Sequence, residues 1–339
     1  MENTEYNADS YQNVIVIDEK LAKRWSRVGQ RAAFGLAMME LAKNDDRLIA
    51  LTADVSTSAG LERIKRNYPA QFIDVGIAEQ NMMGIAAGLA SEGFDVVTAT
   101  FAPFQSMRCL EQIRVNLGYM KNKVVMVGLA SGIGLGTLGN THCCFEDMGV
   151  LRAIPNLAIV SPADCGEVGK ALEAAIHYHQ SVYIRLTGLA NQPIVYHEDY
   201  PFEIGKSIRL KEGTDITIFA IGTMVHTALE AAKMLEEKNI SASVVNMHTV
   251  KPIDVEAVEV ACKQSKMIVT IEEHNIYGGL GTAVAECKSS IINAPYQMMM
   301  GLPDAYQKGA HYEKMLEKNN LMPEQIAERI CEGFKSIMV

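Results

Sequence analysis

The sequence predicts an α/β fold of two domains, each a mainly parallel β-sheet flanked by helices. Three observations carry that expectation. Short runs such as KVVMVGLAS, LAIVSPAD and DITIFAIG are apolar almost throughout. Such runs are typical of strands covered on both faces, as in parallel sheets. Helix-period stretches separate them, as parallel crossovers require. The rhythm breaks at residues 188–213, where Pro193, Pro201 and several polar residues mark a connection between two such series.

Composition agrees. A chain of 339 residues, 48% hydrophobic, is long enough for two cores. A net charge of −9 offers no basic footprint for nucleic acid. The start, MENTEYNADSYQN, is polar and acidic, unlike a signal or transit peptide. No apolar run reaches the roughly 18 residues of a membrane span. The seven cysteines include no CxxC and read as free thiols in a reducing cytoplasm. Cys143 and Cys144 adjoin His142, but adjacent cysteines are poor zinc spacing, so no metal site is expected.

In chain order, residues 1–25 read as a loose arm. QRAAFGLAMMELAKND has helical period. Strands are expected at 47–55, 71–76, 95–102, 123–131, 157–164 and 181–187, with helices between them, among them 103–117 and 164–179. Residues 26–190 then form the first domain, 191–213 the linker and 214–339 the second domain. The second domain holds strands at 215–222, 242–247 and 266–274 and the amphipathic helix TMVHTALEAAKMLEEKN.

One carboxylate stands out. DVGIAEQNMMGIAAGLASEGF is nearly all apolar or small, yet Glu79 lies near its start. The residues after the strand QFIDVG form a helix apolar on every face, expected to be buried all round. Glu79 then falls in its first turn, at the carboxyl end of a parallel strand, where ligands bind in open α/β sheets. Alone it reads as an acid favoured by the helix dipole. Gln80 and Asn81 extend it to three polar residues entering a buried helix, an expensive cluster without a polar ligand or interface. Gly84 and Gly88 would admit a second backbone. TFAPFQ adds Phe101 and Phe104 at the end of another strand, rings able to wall a flat heteroaromatic group.

These segments, with HTVKPID and EEHNIYGGLGTAVAE, closely resemble the C-terminal half of transketolases, thiamine-diphosphate enzymes that move two-carbon ketol units between sugars. The similarity runs from about Gln30 to the chain end. It implies the thiamine-diphosphate-binding fold, with a pyrimidine-binding first domain and a transketolase C-terminal second domain. It implies that Glu79 is the protonated glutamate relaying a proton to the cofactor's aminopyrimidine. Phe104 matches the ring stacked on that pyrimidine, and Phe101 and Asp54 complete the wall. Arg31 and Ser58 match residues that contact an acceptor's phosphate, and His142 one near the sugar hydroxyls.

The family holds Mg²⁺ and the diphosphate with a Gly-Asp-Gly motif in a further domain, and this chain has no Gly-Asp pair. The resemblance therefore implies the catalytic subunit of a split transketolase. A partner subunit with the diphosphate domain would supply Mg²⁺, in a heterotetramer with two of each chain. Related deoxyxylulose-phosphate synthases carry His where this chain has Asn81. That acyloin-condensing chemistry, and a catalytically silent assembly subunit, are the alternatives.

Departures from the family pattern concern the substrate. A histidine is replaced by Ala130, an acid that contacts a hydroxyl by Leu138, and a Ser-Arg pair by Thr187 and Gly188. Arg185, three residues before Gly188, is a nearby cation expected to lie along its strand rather than reach in. Loss of charge-assisted contacts to phosphate implies a non-standard sugar. GGLG at 278–281, His248 and His274 are expected to be structural.

Overall fold

The computed structural model describes residues 14–338 and contains two sheets. Strands β1 (Leu48–Thr52), β2 (Phe72–Asp74), β3 (Asp95–Phe101), β4 (Val124–Leu129), β5 (Leu157–Val160) and β6 (Ser181–Arg185) belong to the first domain. Strands β7 (Ile208–Lys211), β8 (Ile216–Ala220), β9 (Ala242–Asn246), β10 (Thr249–Lys251), β11 (Met267–Asn275) and β12 (Tyr296–Leu302) follow. The first sheet has the order β10-β5-β6-β4-β3-β1-β2, the second β12-β11-β8-β9-β7. Pairing is parallel except for β10 on β5 and β7 on β9. The central strands β1, β4, β5, β6, β8 and β9 are buried at every position, which is why they read as apolar runs.

Three features differ from the sequence expectation. First, the chain from Val14 is docked rather than loose, while residues 1–13 of the expected arm lie outside the described residues. The Val14 and Ile15 amides donate to Glu173, and Ile17 donates to Asp199. The helix Glu19–Val28 then starts on an Asp18 cap and buries Ala22 and Trp25. Second, β7 forms inside the stretch read as linker, and β10, from the second domain, closes the edge of the first sheet. An edge strand needs only one ladder, so its short polar sequence carries little periodicity. Third, the expected helix 103–117 is broken into Ala102–Gln105, Leu110–Gln112 and a π-helical turn, Ile113–Tyr119. Ser106 Oγ and Cys109 Sγ take the carbonyls of Ala102 and Phe104, competing with the helical ladder.

The helix Glu79–Ser91 also corrects an expectation. It buries Met82, Met83, Ala86 and Ala87, but Gln80, Asn81, Gly84 and Gly88 are exposed. A Cβ at either glycine would meet nothing within 4 Å. Within this chain, therefore, the apolar surface of the helix includes a small-residue stripe that faces outward.

Candidate active site

Strand order locates the site. β1 pairs with β2 on one side and β3 on the other, so the chain reverses direction across the sheet at β1. Crevices at such switch points, beyond the carboxyl ends of the strands, are where α/β proteins bind ligands. Asp54 follows β1, Glu79 begins the helix after β2, and Phe101 and Phe104 end β3 and start the helix after it. Asp54 has φ 58°, a left-handed conformation rare outside glycine. The turn is held by Asp74, whose Oδ1 accepts from the amides of Asp54 (2.9 Å) and Gly76 (3.1 Å).

The rings form one cluster. Phe101 and Phe104 meet edge to face with centroids 6.2 Å apart. The His142 ring joins both, 6.0 Å from Phe101 and 5.5 Å from Phe104. Glu79, only 4% exposed, lies at this wall through a residue the sequence reading did not single out. Arg108 Nη1 donates to Glu79 Oε1 at 2.8 Å, and its guanidinium sits 4.1 Å from the Phe104 ring centroid. Gln80 Nε2 donates to the Arg108 carbonyl at 3.1 Å. Arg108 stands four residues after Phe104, and that spacing was the available signal. The broken helix hid it.

The loop carrying Ser58 passes the backbone of Arg31 at Gly60. Arg31 is the second residue of the helix Gln30–Ala42, and that loop turns at Gly60, where a Cβ would lie 2.8 Å from the Arg31 carbonyl. Burial pulls the Arg31 guanidinium below its ordinary value, and no carboxylate among the described residues pairs with it. The neighbouring Gln30 is buried; its Oε1 accepts from Gly188 N at 3.0 Å and its Nε2 donates to Pro162 at 3.1 Å. Gln30, the residue before Arg31, thus holds the Thr187-Gly188 segment.

Arg185 does not reach this site. It is 1% exposed, with Nε 3.0 Å from both Asp147 oxygens and Nη2 2.8 Å from the Glu273 carbonyl. Leu138 is 56% exposed on the loop preceding His142, whereas Ala130 is buried. The Gly-rich turn at 278–281 holds an internal carboxylate: Glu272 accepts from the amides of Leu280 (2.7 Å) and Gly281 (2.8 Å). It is a structural turn. His248 and His274 are fully buried, and burial pushes them down to about 3 and about 4.

Comparison with known proteins identifies the scaffold. Residues 27–190 match the transketolase pyrimidine binding domain, and residues 205–326 the transketolase C-terminal domain. The chain belongs to the transketolase family. It is 40% identical over 275 residues to one subunit of the apulose-4-phosphate transketolase of Phocaeicola vulgatus, covering 81% of this chain and 87% of that one. It is 36% identical over 315 residues to the 6-deoxy-6-sulfo-D-fructose transketolase subunit SqwH of Clostridium sp. strain MSTE9, covering 92% and 95%. A solved structure described as "Split gene transketolase, inactive beta4 tetramer" superposes with a TM-score of 0.82 at 36% identity, covering 91% of this chain and 98% of that one. This chain accordingly carries the family's pyrimidine binding domain and C-terminal domain on one polypeptide.

The family's cofactor is thiamine diphosphate. A three-ring wall with a carboxylate at its edge fits a flat heteroaromatic ring bearing nitrogen donors and acceptors. The cofactor's charged end finds no match here. No Gly-Asp pair occurs in the chain. Among the described residues, no group of three His, Cys, Asp or Glu is arranged to hold a metal ion.

Proposed function

We propose that this chain is the catalytic subunit of a two-component transketolase that moves a two-carbon ketol unit from a ketose to an aldehyde acceptor. The observation that carries the reading is the buried Glu79 carboxyl beside the Phe101–Phe104–His142 wall at the switch point of the sheet. Glu79, Phe104 and Phe101 would hold the aminopyrimidine of thiamine diphosphate, with Asp54 at the edge of the wall. When bound, the cofactor would supply nucleophilic thiazolium chemistry toward ketose carbonyls. Glu79 holds and returns the proton at the pyrimidine nitrogen. The ring wall excludes water from that exchange.

A partner subunit would hold the diphosphate and its Mg²⁺, in a heterotetramer with two of each chain. The outward glycine face of the helix Glu79–Ser91 is consistent with such a neighbour.

Arg31 and Ser58 would receive the acceptor's anionic end, and His142 its hydroxyls. The acceptor is a modified sugar. Arg185 is committed to Asp147, Gly188 offers no cation, and exposed Leu138 presents methyl groups where an acid would bind a hydroxyl. Two relatives named for apulose 4-phosphate and 6-deoxy-6-sulfo-fructose are in keeping with that choice.

Co-expression with a chain bearing Gly-Asp-Gly, followed by transfer assays, tests the reading. Ketose-dependent turnover, lost in Glu79→Gln, is expected. Turnover by this chain alone would refute the split site, and ordinary efficiency with ribose 5-phosphate and xylulose 5-phosphate would refute the modified acceptor. A pyruvate donor requirement would favour acyloin condensation. Full activity in Glu79→Gln would favour a silent subunit.

A further inference from the structure

Glu79 carries one partner that the proposed function leaves without a role. Arg108 is a half-exposed cation attached to a buried carboxyl: the side chains are 43% and 5% exposed. Exposed ion pairs contribute little to stability, because solvent screens them and long side chains lose entropy. This pair is different in its geometry. The guanidinium donates to Oε1 alone at 2.8 Å, and no described residue donates to Oε2. The same guanidinium covers the Phe104 ring at 4.1 Å. Gln80, next to Glu79 in sequence, holds the Arg108 carbonyl, so consecutive residues grip both ends of the arginine. The break in the helix at residues 106–109 is what turns Arg108 toward them.

We propose that Arg108 is the positioning residue of the pyrimidine site. It restrains the Glu79 carboxyl through Oε1, leaves Oε2 for the cofactor, and backs one face of Phe104 so that the other can stack. Guanidinium suits both contacts, since it is planar, delocalised, permanently charged and able to stack on a ring while donating in its plane. A lysine ammonium can restore the charge but not the stacked, directional donor. The inference rests on the reading of Glu79 as the proton relay.

The test uses the reconstituted pair with thiamine diphosphate, in wild-type, Arg108→Met, Arg108→Lys and Glu79→Gln forms. Two quantities are measured: cofactor affinity by calorimetry, and exchange of the thiazolium C2 proton for deuterium by NMR. Arg108→Met keeps the length and apolar stem of the side chain. It should slow C2 exchange by about tenfold, the cost of a lost charge-assisted contact and a loosened carboxyl. Cofactor affinity should change less than about threefold, and Arg108→Lys should recover part of the rate. Wild-type exchange in Arg108→Met, or a loss explained entirely by weaker binding, would overturn the proposal. Glu79→Gln separates the two claims. If it too exchanges at the wild-type rate, the relay reading fails; if it abolishes exchange while Arg108→Met does not alter it, only the role of Arg108 fails. The free chain provides a partner-independent check. NMR of ¹⁵N-labelled arginine should show, besides the buried Arg185, a hindered guanidinium that is released in Glu79→Gln. A spectrum in which Glu79→Gln releases no guanidinium would refute the restraint.

Discussion

Replacing Glu167 with Gln should flatten the pH dependence of stability near neutrality. Glu167 is fully buried in the helix Cys165–His177 and faces β9 of the second domain. Asn246 Nδ2 lies 2.9 and 3.1 Å from its two oxygens, Ala163 N 2.6 Å away and Tyr200 Oη 3.1 Å away. Desolvation dominates these donors and pushes the carboxyl up to about 8. The native protein therefore keeps a proton that the unfolded chain releases near the ordinary carboxyl value. Between those two values the native state binds more protons, so stability falls as pH rises. One group contributes about 1.4 kcal/mol per pH unit, or roughly 3 kcal/mol from about pH 5 to about pH 7. The stabilisation is fully present below the unfolded value and lost as pH rises through about 8. Gln stays neutral at every pH. Asn246 Oδ1, buried without a partner, could accept from the new amide once the Asn246 side chain turns over.

Urea unfolding followed by fluorescence reads this directly. The chain has one tryptophan, Trp25, 1% exposed. It packs against Gly169 of the helix that carries Glu167. His248 and His274 act in the opposite sense. Held neutral in the fold, they stabilise above the unfolded histidine value, and that contribution is lost as pH falls toward their native values of about 3 and about 4. They are common to both proteins, so the difference between wild type and Glu167→Gln isolates one carboxyl. A difference that does not change between about pH 5 and about pH 8 would refute the reasoning.

Other outcomes are expected. Asp147→Asn strands Arg185 as an uncompensated buried charge and should cost about 3–5 kcal/mol in the same urea assay. Arg31→Met in the active pair should raise KM for an anionic acceptor with little change in kcat, because it removes a contact made equally before and during reaction; an unchanged KM would exclude Arg31 from acceptor binding. Leu138→Asp should shift preference toward acceptors with an additional hydroxyl, read as a ratio of kcat/KM values. Alkylation of the native chain should begin at Cys262 and Cys287, which are partly exposed, and spare Cys144 and Cys165, whose thiols burial holds well above the ordinary value.

The sequence by itself determined the two-domain α/β class, the positions of nine of the twelve described strands to within a few residues (β7, β10 and β12 being the exceptions), and the grouping of Glu79, Phe104 and Phe101 in one candidate site. It could do so because buried parallel strands are written as uninterrupted apolar runs, and because Glu79, Phe101 and Phe104 fall at or just past the carboxyl ends of two strands. It also exposed the missing Gly-Asp motif, which no fold could restore. Tertiary structure decided the rest. Arg185 and Arg108 look alike in sequence, yet one is locked on Asp147 inside the fold and the other reaches Glu79 because Ser106 and Cys109 interrupt a helix. His142 joins the aromatic wall across 38 residues from Phe104. The glycine stripe of Glu79–Ser91 faces outward, and β10 crosses to the sheet of the other domain. Each is settled by which surfaces meet in three dimensions, and local periodicity carries no information about contacts between segments far apart in the chain.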